Sequence, residues 1–493
     1  MAGTESTTAP DPKRWQALAV LSVAYPMVVL DVSIVNVALP SIQKSLNFST
    51  SSLEWVVSGY ALTFGGFLLL GGRSGDLLGR RRVFMAGLVL FAFFSLLCGL
   101  AVSPAMLIAT RALQGAAGAV LSPSVFSIVT VTFEEGSERN KALGVLGAIA
   151  GGGAAIGLLL GGILTEFAGW EWIFFVNVPI GLGVLLIVPR FVRESRAPDL
   201  ARHFDVAGAV TVTGGLMLLV YGLTRAPTVG WLSAETIASF AGSAVLIAAA
   251  ILIEHRSRSP LIDLRIFRRR TLTGANVVAL LLGTMLFGMF FLLSLYQQDV
   301  LGYSPLRTGV NNLAIALSVI AAATVSQALV TRIGVKPVLM TGLALLGGGL
   351  AFYTQISVDG SYLRDLFPGF LLTGVGLGFS FVPVSIAALS GVTSREAGLA
   401  SGLITTSQQI GGAIGLAILT TVSTTRTNHL LADGVAAPTA LVDGFRLAFW
   451  VGVGFAALAF ATASVVLKRD QSLPEAERLE SPRERADSEK IAA

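Results

Sequence analysis

Fourteen apolar runs, each long enough to cross a lipid bilayer as a helix, constrain this chain more than any other feature. They lie at roughly 15–39, 53–72, 83–102, 105–127, 142–165, 173–189, 206–224, 236–253, 273–295, 308–330, 337–356, 366–388, 397–421 and 447–467. A helix rises about 1.5 Å per residue, so about 20 apolar residues cross a hydrocarbon core of ~30 Å. Hydrophobic residues make up 54% of the 493 and charged residues only 13%, about half the charge of an average soluble protein. The fold class is therefore an all-α polytopic membrane protein.

Charge orients the runs. With the N-terminus inside, an even number of spans returns both termini to the cytoplasm. Every Lys and Arg then falls in a cytoplasmic segment except Lys44, Arg111, Arg225, Arg307, Arg364, Arg426 and Arg446, the asymmetry that the positive-inside rule predicts. Dropping one span would invert everything beyond it and spoil the pattern. Residues 1–14 are polar, and 15–39 is too long for a signal core, so it reads as a first span. The net charge of +5 reflects these loops and does not imply a nucleic-acid partner.

The second and third runs are joined by 72–82, a short basic stretch with four arginines to one aspartate, expected to be a cytoplasmic loop. The stretch 75–88 aligns without gaps to 330–343, matching Gly79, Arg81, Val83, Met85, Gly87 and Leu88 with Gly334, Lys336, Val338, Met340, Gly342 and Leu343. Both copies enter a helix from the cytoplasm, so the repeat is parallel, and a substrate site is expected near midplane where the halves meet. The expected division is a cytoplasmic N-terminus (1–14), a six-helix bundle (15–190), two inserted helices (206–253), a cytoplasmic linker (254–272), a second six-helix bundle (273–467) and a disordered cytoplasmic tail (468–493).

Two charges lie deep within spans. Asp31 is well inside the first, where a carboxylate is costly and marks a functional site by default; a structural carboxylate satisfied by a neighbouring helix is the plainer reading. By helical rise it sits about 6 Å below the outer end of its span, and Arg111, in the fourth, about 9 Å below its own. At such similar depth the two are placed to pair, directly or through water. Glu54 and Glu166 fall near span ends, which leaves Asp31 the one deep carboxylate and suggests one proton per transport cycle.

The fifth run carries Gly144, Gly147, Gly151, Gly152, Gly153, Gly157, Gly161 and Gly162, a pattern that serves close packing or a bending hinge equally well. Phe287, Phe290, Phe291, Met285 and Met289 in span nine suit either helix packing or an adaptable pocket. Asn36, Gln114, Gln408 and Gln409 are candidate polar groups of a substrate cavity. The three histidines sit in separate loops and Cys98 is alone in an apolar run, so neither a metal site nor an intramolecular disulfide is expected. No phosphate-binding G-x-x-x-x-G-K-[ST] motif is present, and no cofactor is implied. An intramembrane enzyme would need a nucleophile and base clustered within the spans, and none is found.

Five strings together resemble the 14-helix drug:proton antiporter branch of the major facilitator superfamily. They are 30–40, 72–82, 111–118, 157–162 and 170–181, with Gly72, Asp76, Gly79, Arg80 and Arg81 matching the family's loop pattern G-x-x-x-D-R-x-G-R-R. The resemblance implies two six-helix bundles plus two extra helices, and export of small, largely hydrophobic compounds against proton entry. It implies a monomer in a bacterial plasma membrane whose partners are a small-molecule substrate, protons and lipid. It makes Asp31 the proton carrier, Arg111 its coupling partner, 72–82 a conformational latch, and Gly153, Gly157, Gly161 and Gly162 the antiporter helix. Leu77 stands where the latch has an arginine, Leu158 where the antiporter motif has a proline, and Glu171 where an arginine is usual between tryptophans. A proton-coupled carrier for a specific metabolite or siderophore, or a transport-inactive membrane sensor, are the alternative readings.

Overall fold

The computed structural model describes residues 13–134, 137–196, 206–256, 266, 269–390 and 397–467. They form fourteen long helical segments: α1 (Arg14–Leu46), α2 (Trp55–Leu78), α3 (Arg80–Gly99), α4 (Pro104–Thr132), α5 (Ser137–Phe167), α6 (Asn177–Phe191), α7 (Val206–Val229), α8 (Ala234–Arg256), α9 (Arg270–Leu295), α10 (Pro305–Ile333), α11 (Val335–Tyr353), α12 (Phe367–Leu389), α13 (Ala397–Ala432) and α14 (Ala437–Val466). Single turns lead into α2 and α6, and π-helical turns extend α9 and precede α12. Thirteen segments are apolar and long enough to cross a bilayer, and α5 joins them by its 31 residues and its apolar stretch Ala155–Phe167. Helices start where the sequence supplies caps. Ser103 accepts from Met106 N at 3.3 Å and Ser304 from Arg307 N at 3.3 Å, each followed by proline at the first helical position, where its missing N–H costs nothing.

Several helices outrun their apolar cores. α1 continues to Leu46, α13 to Ala432, and α14 starts at Ala437, because polar residues just beyond the hydrocarbon extend a helix without a hydropathy signal. The expected 72–82 loop is corrected in the same way. Residues 72–78 are the last turns of α2, and only Gly79 interrupts the helix before α3. Its φ of +110° and the +89° of Gly334 at the matching α10–α11 junction are turns that glycine makes without Cβ strain. The 1–12 segment, the 468–493 tail, most of the linker and the Asp76 side chain lie outside the described residues.

Packing repeats across the chain. α2 packs on α4, α3 on α4, α1 on α5 and α6; α10 packs on α12, α11 on α12, α9 on α13 and α14. Between these two bundles α2 lies along α13, and α5 along α10. The extra helix α7 rests on both α2 and α13, with α8 packed against it. We call the end carrying Arg80–Arg82 the basic end. At the opposite, far end the bundles are joined closely. Gln298 Nε2 donates to Val37 O at 2.8 Å, Leu306 N donates to Glu166 Oε2 at 2.9 Å, and Lys44 Nζ lies 3.3 Å from Asp299 Oδ1.

Candidate functional site

α1, α2 and α4 converge on one buried polar cluster. Asp31 projects from α1, Arg111 and Gln114 from α4, and α2 offers the carbonyl of Val56. Arg111 Nη1 donates to Asp31 Oδ2 and, at 2.8 Å, to Gln114 Oε1, while Gln114 Nε2 donates to Asp31 Oδ1 at 2.8 Å. Arg111 Nε donates to Val56 O at 3.0 Å. The guanidinium also lies over the Tyr60 ring at 4.3 Å and the Phe174 ring at 5.5 Å, faces that attract a cation. Cys98 Sγ donates to Thr110 Oγ1 at 3.3 Å. The Asp31 side chain is 0% exposed and that of Arg111 1%.

The two charges expected at one depth are therefore in direct contact and sealed from water. A buried ion pair contributes little net stability, yet removing one partner leaves an uncompensated charge at a cost of about 3–5 kcal/mol. The cluster has two self-consistent states. With Asp31 ionised, the bidentate web above is complete. With Asp31 carrying a proton, Arg111 still keeps Val56 O, Gln114 Oε1 and two ring faces.

α1 conveys this cluster to the seam between the bundles. A Cβ on Gly157 would fall 2.0 Å from Ser33 Oγ, and one on Gly161 2.7 Å from Ile34 O. Gly153 lies against Val29 in the same row, so these three glycines let α5 seat on the turns of α1 around Asp31. One position on, Gly162 faces Leu306 and Pro305 of α10, and Leu158 O approaches Gly309. Gly144 and Gly152 have open space where a side chain would project.

The basic end carries a second arrangement. Glu194, in the segment after α6, accepts Arg81 N at 3.1 Å and Arg82 N at 3.2 Å, the free N–H groups at the start of α3. Arg80 N donates to Ser195 O at 3.0 Å and Arg80 Nε to Ser127 Oγ at 2.6 Å; Gly72 lies against Pro123. In the second bundle Lys336 Nζ donates to Ser464 O at 2.6 Å, so the end of α14 holds the α10–α11 junction as the segment after α6 holds that of α2–α3.

The remaining candidates are dispersed. Asn36 is buried and its Nδ2 donates to Val32 O at 2.8 Å, while Gln114 belongs to the Asp31 cluster. Gln408 lines a cavity of about 220 Å³ with Phe381, Ser385 and Thr405 between α12 and α13. Gln409 faces Gly65 on α2. Met285, Met289 and Phe291 are packed into the core of the second bundle.

Two acidic residues take on roles that their sequence positions do not signal. Glu194 was hidden as one acid among arginines, which reads as a solvated loop. Glu54 sits one residue before α2, at the edge of an apolar run, yet it is 0% exposed. Its place at the span end is as expected, but it is buried there because α13 and α7 close over the start of α2. Among the described residues Asp365 is also buried, satisfied by Ser361 N, Ser357 and Arg364.

The Major Facilitator Superfamily profile matches residues 21–416. The chain belongs to that superfamily. It is 39% identical over 453 residues to the puromycin resistance protein pur8 of Streptomyces alboniger, covering 91% of this chain and 89% of that one. It is 38% identical over 456 residues to the cephamycin export protein CmcT of Amycolatopsis lactamdurans, covering 92% of each. A bacterial homologue of the human lysosomal transporter Spinster, solved inward-facing and unoccupied, shares the fold with a TM-score of 0.65 at 15% identity, over 94% of this chain and 99% of that one. This major facilitator chain is thus a multi-span transporter of a bacterial plasma membrane, and not an enzyme.

Proposed function

We propose that this transporter is a proton-coupled antiporter that exports small, largely hydrophobic compounds such as antibiotics, with its basic end and both termini in the cytoplasm. The observation that carries the reading is the Asp31 carboxylate, sealed within α1 and held by Arg111 and Gln114. Export, rather than uptake, is supported by the puromycin resistance and cephamycin export relatives. The direction of the basic end is supported by its arginines.

In this reading Asp31 takes a proton and Arg111 is the positioning residue. Protonation removes the anion that ties α1 to α4, and α1 shifts against the glycine row of α5. α5 in turn bears on α10 at the seam, so one proton biases the two bundles between arrangements. Gln408 and Gln409, near the α2–α13 seam, contribute hydrogen-bonding groups without charge. Residues 72–82, with Gly72, Asp76, Gly79, Arg80 and Arg81, act as the cytoplasmic latch, and the chain works as a monomer. Inverted vesicles that hold a proton gradient test the reading. Adding puromycin or a cephamycin should release protons and dequench a pH dye; release with neither compound, nor with other hydrophobic antibiotics, contradicts it.

A further inference from the structure

We infer that Glu54 is a second proton-binding site, one that gates the far end of the transporter rather than carrying protons across it. Its carboxyl is fully buried, and neither oxygen meets a hydrogen-bond partner among the described residues. It sits where α2 of the first bundle meets α13 of the second, with α7 resting on both. The polar side chain facing it, Thr420 of α13, is also buried, and its hydroxyl acts on the carboxyl from beyond hydrogen-bond geometry, a neutral dipole rather than a counter-charge. An ionised carboxylate sealed there without a partner costs several kcal/mol, whereas the neutral acid costs only its unmade hydrogen bonds.

The charged and titratable groups on the surrounding elements are occupied elsewhere. Lys44 of α1 lies against Asp299; Arg225 and Tyr221 of α7 bond Glu235; Arg426 and His429 of α13 lie against Asp443 and Asp433. Tyr60 of α2 is turned to Arg111. None of these supplies a counter-charge to Glu54, so closure of this seam takes up one proton on a Glu54 oxygen. Parting α2 from α13 wets the carboxyl, and the proton returns to water on the same side. Acid at the far end thus favours closure, and the site adds nothing to the protons carried through. The inference rests on alternating movement of the two bundles, as in the function proposed above.

Spin labels at Ser45→Cys and Ala436→Cys, both exposed at the far end, report the gap between the bundles when Cys98 is replaced by Ser. The protein is measured in nanodiscs on an Asp31→Asn background, without substrate. Raising pH should increase the ratio of open to closed distances by up to about tenfold per unit while one proton is exchanged. Glu54→Gln, which keeps the neutral shape, should stay closed and lose the pH response, and Glu54→Asp should keep one. A Glu54→Gln protein that titrates like its parent, or a parent with no pH response, overturns the assignment. Because neither substrate nor Asp31 takes part, this measurement fails or succeeds independently of the antiport reading.

Discussion

Replacing Gly79 by alanine should destabilise the protein by about 1.5–5 kcal/mol, through two separable causes. Gly79 has φ +110° and ψ 124°, a conformation that costs a residue with a Cβ about 1–3 kcal/mol. The new Cβ would also lie 2.7 Å from Glu194 Oε1, so the carboxylate must move away. It then releases Arg81 N and Arg82 N, the equivalent of losing an N-cap, worth about 0.5–2 kcal/mol. Glu194→Ala alone should cost only that second part. The double variant should be no less stable than Gly79→Ala, because both changes remove the same cap. Unfolding equilibria in mixed detergent micelles, followed by tryptophan fluorescence, give all three values. Additive costs would show that Gly79 does not act through Glu194, and a neutral Gly79→Ala would refute the backbone argument itself.

Other outcomes follow from the same contacts. In Gly66→Ala the new Cβ would meet Thr213 Oγ1 at 2.0 Å; overpacking α7 against α2 should cost about 1–3 kcal/mol, and Thr213→Ala, which leaves only its Cβ at 3.0 Å, should recover part of that loss in the same micelle assay. Arg111→Ala leaves Asp31 buried and unpaired, so it should lose about 3–5 kcal/mol and regain much of it when Asp31→Asn is added; equal stability of single and double variants would contradict the pair. Arg14 donates two bonds to Glu138, at 2.8 and 2.9 Å, and these hold its carboxyl below the ordinary value. The resulting stability is present above the usual carboxyl range and is lost as pH falls through the lowered value. The melting-temperature gap between wild type and Glu138→Gln should therefore close in acid, and a gap constant with pH would dismiss the pair.

Much of this was legible in the sequence. Apolar length and arginine asymmetry are local properties, so the helices and the parallel repeat could be read directly, whereas the single-residue turns at Gly79 and Gly334 read as part of longer loops because polar residues extend a helix without a hydropathy signal. Asp31 and Arg111 were legible because charge within a span is rare and helical rise fixes its depth. Glu54 was not, since a carboxylate beside Trp55 at the mouth of a span looks wetted until α13, far along the chain, is seen covering it. Glu194 was lost for a related reason. Its partners are backbone N–H groups exposed only because α3 starts there. The glycines of α5 could not be assigned to packing or hinge without α1, whose Ser33 and Ile34 meet Gly157 and Gly161.

In the proposed cycle one proton on Asp31 drives the exchange. Proteoliposomes loaded with puromycin, with either no pH gradient or an imposed one, test it most directly. Asp31→Asn should still exchange puromycin with no gradient, showing an inserted, mobile carrier, but should lose accumulation driven by the gradient. Full gradient-driven accumulation by Asp31→Asn would contradict the account.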